Sequence, residues 1–471
     1  MKTFDIKEVG PGPVISAFFQ QLGLKESINN TLTWDEEQWL LDPGTHVLAL
    51  VIDILCHRAP LYRVEDFYAE QDVELLFGPR VKHDYFNDDV LGRVLDRIHA
   101  AGPKKVFSTV VLQARLRENL SHLILHGDTT ARLVYGAYPE ENGLNITRGY
   151  NKEHRTDLKQ YKIGLVTNED GFPLLGEVLD GNLDDKTWNK QLIENLSHHF
   201  TPQELKELIY VADSAVVTKA NLELIKEQKL KFISRLPATF NLTRELINAA
   251  FTSGSWNELG QLSPGKKSAF YRTQGFTREL YGNDYRFVVV HSSKLDKRRL
   301  RGLKGRIKRK KKELEKAAQK LLKQTFACTL DAQDALDLFQ RDNRNIFYPL
   351  TGTITKEKER VKRKKRGRPR KGEQIEYRDV YRVNIKVGAL DQDVVQREKE
   401  RLSCFVLITT LKEGCDDYFI LKEYKEQAVV ENRFKFIKHP LYIGPIYLQK
   451  KERLEALCYV IFIALALYII L

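Results

Sequence analysis

Between residues 120 and 236 short apolar runs alternate with stretches of helical spacing, and this alternation restricts the possible fold more than any other feature of the chain. Leu123 to Asp128 and Arg132 to Tyr138 read as short strands. Tyr161 to Thr167 and Pro173 to Leu179 flank the turn Asn168-Glu169-Asp170-Gly171 as a hairpin. A helix over Lys186 to His198 follows, then a strand over Leu208 to Asp213, a helix over Ala215 to Gln228 and a strand over Lys231 to Leu236. Leading strands followed by strand and helix in alternation make a mixed α/β sheet.

Two of these strands end in aspartate, Leu123-Ile124-Leu125-His126-Gly127-Asp128 and Leu208-Ile209-Tyr210-Val211-Ala212-Asp213. Far downstream, Tyr424, Gln427, Glu431 and Lys438 stand at offsets of zero, three, seven and fourteen, which places them on one stripe of a helix. Three carboxylates from three distant elements, Asp128, Asp213 and Glu431, could converge on a metal site. Hard divalent ions take oxygen ligands, and such a set suits phosphoryl chemistry on nucleic acid. Taken singly, each has a plainer reading. Asp128 is a polar strand end, Asp213 an N-cap for the helix near Ala215, and Glu431 a surface carboxylate with Glu423 and Glu426 close by.

The motif Tyr424-x2-Gln427-x3-Glu431-x6-Lys438 resembles the Tyr-x2-Arg-x3-Glu-x6-Lys signature of bacterial insertion-sequence transposases of the DDE superfamily, with Gln427 where the family usually has Arg. Gly149 to Gln160 (GYNKEHRTDLKQ) is similar to a segment between the first two catalytic aspartates in one branch of these enzymes. The resemblance covers roughly residues 120 to 471. It implies an RNase H-like core, with Asp128, Asp213 and Glu431 as catalytic residues holding two Mg²⁺ or Mn²⁺ ions and Asp128 bridging both. It also implies that Tyr424, Gln427 and Lys438 contact DNA, that the double-stranded partners are element ends and target, and that a homodimer works on paired ends. Gln427 donates to phosphate but lacks the charge and bidentate fork of arginine. Family members usually extend past this chain's last residue, so the resemblance also implies a truncation. A stand-alone metal-dependent nuclease on the same fold and an inactive DNA-binding remnant are the alternatives.

Residues 1 to about 119 read as helical. His46 to Cys56, Val90 to Ile98 and Val106 to Leu120 carry apolar positions at helical spacing, and Gly102-Pro103 breaks the last two. The 218 residues from Asp213 to Glu431 exceed what one sheet-to-helix connection needs, so an insertion is expected there. Its strand-like stretches are Ser268 to Thr273, Tyr285 to Val290 and Glu376 to Val387, with a charged helix near 297–324. The core resumes at Phe405 to Thr410. The expected class is α/β: an RNase H-like mixed sheet with helices over 120–236 and 401–471, preceded by an all-α domain over 1–119 and interrupted by a basic, β-containing subdomain over 237–400.

The formal charge of +13 is unevenly placed. Residues 294–323 hold fifteen Lys or Arg against three acids and residues 356–371 hold eleven against two, so the remainder is net acidic. Concentrated cations favour polyanions through counterion release, which points to nucleic acid. Within the second stretch Arg366-Gly367-Arg368-Pro369, followed by Arg370, resembles an AT-hook, whose arginines enter a narrow minor groove; a flexible polybasic loop is the other reading. Five cysteines with no CxxC pair fit neither a disulfide framework nor a zinc knuckle and suggest a cytoplasmic protein. His126 is expected to be packed, or to play a secondary part beside Asp128, and Trp188 to lie in the core or stack on an unpaired base. Ala456 to Leu471 is an apolar run of sixteen residues, short for a membrane span, and reads as a core helix.

Overall fold

The computed structural model describes residues 6–139, 143–263, 268–294, 296–361, 376–411, 415–438 and 448–471. The chain folds as two compact units, Met1–Thr243 with Gly275–Val288 and Val406–Leu471, and Arg244–Gln274 with Val289–Phe405. Its strands in chain order are β1 Ile124–Val134, β2 Lys159–Thr167, β3 Pro173–Leu179, β4 Ile209–Ala212, β5 Lys231–Arg235, β6 Asn257–Gln261, β7 Phe270–Leu280, β8 Asn283–Ser292, β9 Leu350–Arg360, β10 Tyr377–Val387 and β11 Cys404–Thr409.

In the first unit the sheet runs β3-β2-β1-β4-β5-β11-β8-β7. β1 pairs antiparallel with β2 and parallel with β4, and β4 pairs parallel with β5. A three-stranded antiparallel meander continued by two parallel strands is the RNase H-like arrangement. The two short strands expected at Leu123 to Asp128 and Arg132 to Tyr138 are one continuous β1, because its backbone ladder with β2 runs unbroken from His126↔Thr167 to Val134↔Lys159. Polar side chains at Asp128 to Thr130 interrupt the apolar pattern but not the hydrogen bonds, and Thr favours strands. The helix expected from Ala215 begins instead at Lys219. Thr218 accepts a hydrogen bond from Asn221 N–H and caps it, while Ser214–Val216 is a single 3₁₀ turn.

Two glycines let this sheet close up. A Cβ on Gly127 would lie 2.7 Å from the Tyr210 hydroxyl, and one on Gly164 would lie 2.5 Å from Trp188 Nε1. Trp188 is fully buried and donates its indole N–H to Glu177 Oε2 at 3.1 Å, so it is a core residue.

The remaining core of this unit is helical. Asp42 caps Pro43–Cys56 and Asn87 caps Asp88–Ala101, and Gly102 at φ 87° turns the chain into Pro103–Glu118. Against these three helices and β3 packs Lys451–Ile470, the one helix among the described residues long and apolar enough to cross a membrane. Here it is interior. Residues Cys458 to Leu467 are buried, and Phe462 meets Phe107 with ring centroids 5.7 Å apart. A helix apolar on every side needs neighbours on every side, and the helices and β3 supply them. Arg453 anchors its first turn by a bidentate pair with Asp96 at 2.8 and 2.6 Å.

The second unit is built on two antiparallel pairings. β6 runs along the first half of β7, and β9 with β10 makes a two-stranded ribbon in register from Leu350↔Val387 to Arg360↔Tyr377. The helix Lys297–Leu322 lies against β10 and buries Leu314, Ala318 and Leu321, while Thr329–Asp342 covers the ribbon with Leu336 and Phe339. Strand β9 was not expected from sequence; its second half alternates Lys and Glu on an exposed ribbon, and its first half has only Leu350 and Ile354, with Gly352 between them, on the covered face. The three AT-hook arginines, Arg366, Arg368 and Arg370, lie outside the described residues.

Candidate active site

The parallel register Gly127↔Ala212 makes Asp128 and Asp213 the next residues on adjacent strands. Asp128 Oδ1 accepts the Thr129 N–H at 2.8 Å, and Asp213 Oδ1 accepts the Ala215 N–H at 2.9 Å. Asp213 is thus the cap of a 3₁₀ turn, as its plainer reading proposed, yet each carboxylate keeps its second oxygen without a hydrogen bond among the described residues. Burial first, then the Asp213 and Asp185 charges, pushes Asp128 up to about 7. Burial and the Asp185 charge also raise Asp213. Lys152 is the cation that acts on both in the opposite sense.

Lys152 comes from the Asn151-Lys152-Glu153-His154-Arg155 loop, which the buried Asn151 braces by bonding Gly149 O, Arg155 O and Arg155 N–H. Loop and sheet enclose a cleft of about 70 Å³ lined by Thr129, Lys152, Lys162 and Asp185 among others. Asp185 was missed by sequence reasoning. Its carboxylate accepts from Thr129 Oγ1 at 2.6 Å and from Lys162 Nζ at 3.3 Å. In sequence it is only the second residue of an Asp-Asp pair whose first member, Asp184, caps the following helix.

The stripe expected on one helix is divided. Asp417–Glu426 packs on β4 and β5, Ala428–Lys438 packs on β1 and β2, and Gln427 between them is a turn. At the break the helical bond shortens to Val430 N–H to Gln427 O, which lets the two segments follow different strands. Gln427 sits over the sheet beside Asp128 and donates from Nε2 to Gly127 O at 3.4 Å. Tyr424 hydrogen-bonds Arg235 at the end of β5 and lies within electrostatic reach of both Asp213 and Glu431. Arg235 was likewise not singled out from sequence. Glu431 is exposed in the first turn of its helix, and Lys438 closes that helix. Among the described residues no three His, Cys, Asp or Glu side chains stand close enough to hold one ion. The pair Asp128 and Asp213 is brought together; Glu431 is not yet with them.

The rival carboxylate Glu423 faces the core. It lies 3.9 Å from His126 Nε2, with both side chains buried. Burial pushes His126 down to about 4 and Glu423 up to about 7, so this approach joins two neutral groups near pH 6 and is not an ion pair. His126 is packed, as its plainer reading held.

A family model described as "Transposase DDE domain" matches residues 138–467. The chain belongs to this DDE transposase family. In this transposase the match takes in Asp213 and Glu431, whereas Asp128 lies ten residues before it. A second model, a domain of unknown function (DUF4277), matches residues 4–112, the helical N-terminal region. Comparison with curated proteins found no match. Among solved structures the transposase is similar to the piggyBac transposase synaptic complex with hairpin DNA, at 10% identity and a TM-score of 0.39, covering 98% of this chain and 75% of that one. It is also similar to the pre-cleavage Mos1 transpososome, at 11% identity and a TM-score of 0.17, covering 42% of this chain and 61% of that one.

Proposed function

We propose that this transposase binds the ends of its own element, cleaves phosphodiester bonds with divalent metal and transfers the 3′ ends to target DNA. The observation that carries the reading is the half-buried pair of Asp128 in β1 and Asp213 directly after the adjacent parallel β4, each with one oxygen already held and one left for a ligand. Two half-buried carboxylates raised by desolvation and neighbouring acids, with one lysine to offset them, fit a hard cation. Bound there, Mg²⁺ or Mn²⁺ ions would make water or a 3′-hydroxyl a better nucleophile and stabilise the leaving oxygen.

The protein's own groups divide the remaining work. Asp128 and Asp213 hold fixed oxygens at the sheet, and Glu431 completes the set when its helix closes on the pair. That movement is short in sequence terms, since Glu431 is one turn beyond Gln427, whose amide already touches the backbone next to Asp128. Lys152 and Arg235 offset phosphate charge, Tyr424 and Gln427 hold the strand end, and Lys438 with Arg366, Arg368 and Arg370 grips the DNA backbone. The protein acts in the cytoplasm, as a homodimer on paired ends. The exposed Glu431 favours one second reading, a DNA-binding relative that does not cleave.

Cleavage and strand transfer on DNA carrying the flanking ends test this, with Mg²⁺ or EDTA and with wild-type or Asp213→Asn protein. Metal-dependent joining that the variant loses supports the transposase. Cutting without joining supports a nuclease, and binding without cutting supports the second reading.

A further inference from the structure

The helix Lys297–Leu322 presents its exposed face as a row of cations interrupted by two glycines. Arg298, Gly302, Gly305, Arg309, Lys312 and Lys316 stand at offsets of zero, four, seven, eleven, fourteen and eighteen, one stripe along the helix. All six are exposed. The opposite face is anchored within the second unit. Leu303 and Leu314 pack with Phe347, Tyr348 and Val395, and Arg299 turns inward to donate to Leu402 O at 2.7 Å.

Two cations off the stripe have partners, Arg306 with Glu398 at 3.7 Å and Lys311 with Glu315 at 3.9 Å, whereas Arg301 and Lys308 beside it hold no ion pair among the described residues. Arg298, Arg309, Lys312 and Lys316 hold no ion pair among the described residues. Arg309, Lys312 and Lys316, at spacings of three and four, repel one another, so this end of the stripe costs the folded helix stability unless an anion lies along it.

The glycines add an independent argument. Glycine is the poorest helix former after proline, and a pair in a helix interior is normally explained by a neighbour that leaves no room for a Cβ. Here a Cβ at Gly302 or Gly305 would meet nothing within 4 Å. Nothing in the unit requires them, so the close approach they permit is to something outside it. They form a shallow notch between Arg298 and Arg309, with Arg301 and Lys308 beside it.

We infer that this stripe is a DNA-backbone track, with the sugar-phosphate strand running along the helix, approaching closest at the Gly302/Gly305 notch, and the flanking cations paired with its phosphates. The occupant follows from charge and shape: the track spans about 27 Å from Arg298 to Lys316, at about 1.5 Å per residue, and duplex DNA offers a continuous line of fixed anions of that reach. The inference rests on the transposase reading and goes beyond it by assigning the contact to one helix face, apart from Asp128 and Asp213.

The test is binding of a fluorescent duplex of arbitrary sequence by full-length protein, followed by anisotropy across a salt series. The proteins compared are wild type, Arg298→Gln/Arg309→Gln/Lys312→Gln/Lys316→Gln, and Gly302→Ala/Gly305→Ala. Circular dichroism confirms that each is folded. Each lost phosphate contact removes about 0.9 from the slope of log affinity against log salt, so the quadruple variant is expected to lose about 3.6 from that slope and at least about tenfold in affinity near 150 mM salt. The glycine variant is expected to melt higher yet bind severalfold more weakly with an unchanged slope.

A folded quadruple variant with the wild-type slope overturns the track while leaving the transposase reading to the cleavage assay. Wild-type protein that binds no duplex overturns both. Retained DNA slope with loss of self-association in the quadruple variant assigns the stripe to an acidic protein surface and also overturns the track. A glycine variant that is more stable and binds as well as wild type removes the notch from the inference.

Discussion

Replacing Asp128 by asparagine should stabilise the metal-free protein while abolishing its chemistry. In the unfolded chain this carboxyl ionises near 3.8; in the fold, burial and neighbouring acids hold its proton until about 7. A carboxyl raised in this way contributes no penalty below about pH 4, an increasing penalty through the interval between the two values, and a constant one above. Each tenfold in the protonation equilibrium is about 1.4 kcal/mol, so at pH 8 the charged form costs the wild type roughly 4 kcal/mol, falling to about 1 kcal/mol at pH 4.5. Asparagine keeps an oxygen for the Thr129 N–H and carries no charge. Urea unfolding in EDTA should therefore show the Asp128→Asn protein more stable than wild type by up to about 4 kcal/mol at pH 8, and by only about 1 kcal/mol at pH 4.5. Adding Mg²⁺ should reverse the order by stabilising only the wild type, in proportion to the logarithm of its concentration. A variant less stable than wild type at pH 8, or a difference that does not change with pH, would refute the account of this pair as a cation site held open by burial.

Asp53 offers a control away from the sheet: burial raises it to about 7, and its one backbone partner, Ala59 N–H at 2.9 Å, is a bond asparagine keeps. Asp53→Asn should gain a few kcal/mol at pH 8 and nothing near pH 4, read by urea midpoint, with no response to Mg²⁺. Gly164→Ala forces a methyl to within 2.5 Å of the buried Trp188 and should cost roughly 1–3 kcal/mol; an unchanged urea midpoint would show that the indole can move aside. Phe462→Ala should lose about 3–5 kcal/mol, because the ring fills the space between Phe107 and Gly176 where no rearrangement replaces it. Glu431→Gln should leave the unfolding midpoint within about 0.5 kcal/mol of wild type, as expected for an exposed side chain, while eliminating metal-dependent cleavage; unimpaired cleavage would remove Glu431 from the site.

The parts of the fold that were legible in sequence are those whose signal is local. The β2 and β3 hairpin announces itself by its turn, and β4 and β5 by short apolar runs. The first apolar run of β1 stops at Asp128 and the run of β4 stops at Asp213. What sequence could not show depends on pairing across the chain. The register Gly127↔Ala212 decides that the two aspartates are neighbours, and no periodicity within either strand contains it. Asp185 was hidden because an acid at a helix start already has a sufficient local reason to be there. The break at Gln427 escaped for a related reason: a helical stripe assumes one axis, whereas the sheet beneath asks the two halves to follow different strands. β9 was hard to read because its second half carries charge on both faces and its first half places only Leu350 and Ile354 on the covered face.

The helix Lys451–Ile470 has a consequence for how the protein comes into being. Helices Pro43–Cys56, Asp88–Ala101 and Pro103–Glu118 leave the ribosome early, but the element that fills the space between them is made some 330 residues later. At about 5–20 residues per second the N-terminal helices would wait roughly 15–70 s with part of their apolar surface uncovered. During that interval they are a substrate for chaperones and proteases, and no amount of local helix propensity shortens it. A premature stop between residues 410 and 451 would therefore release a protein whose sheet residues are all present and whose first hundred residues still lack the centre of their core.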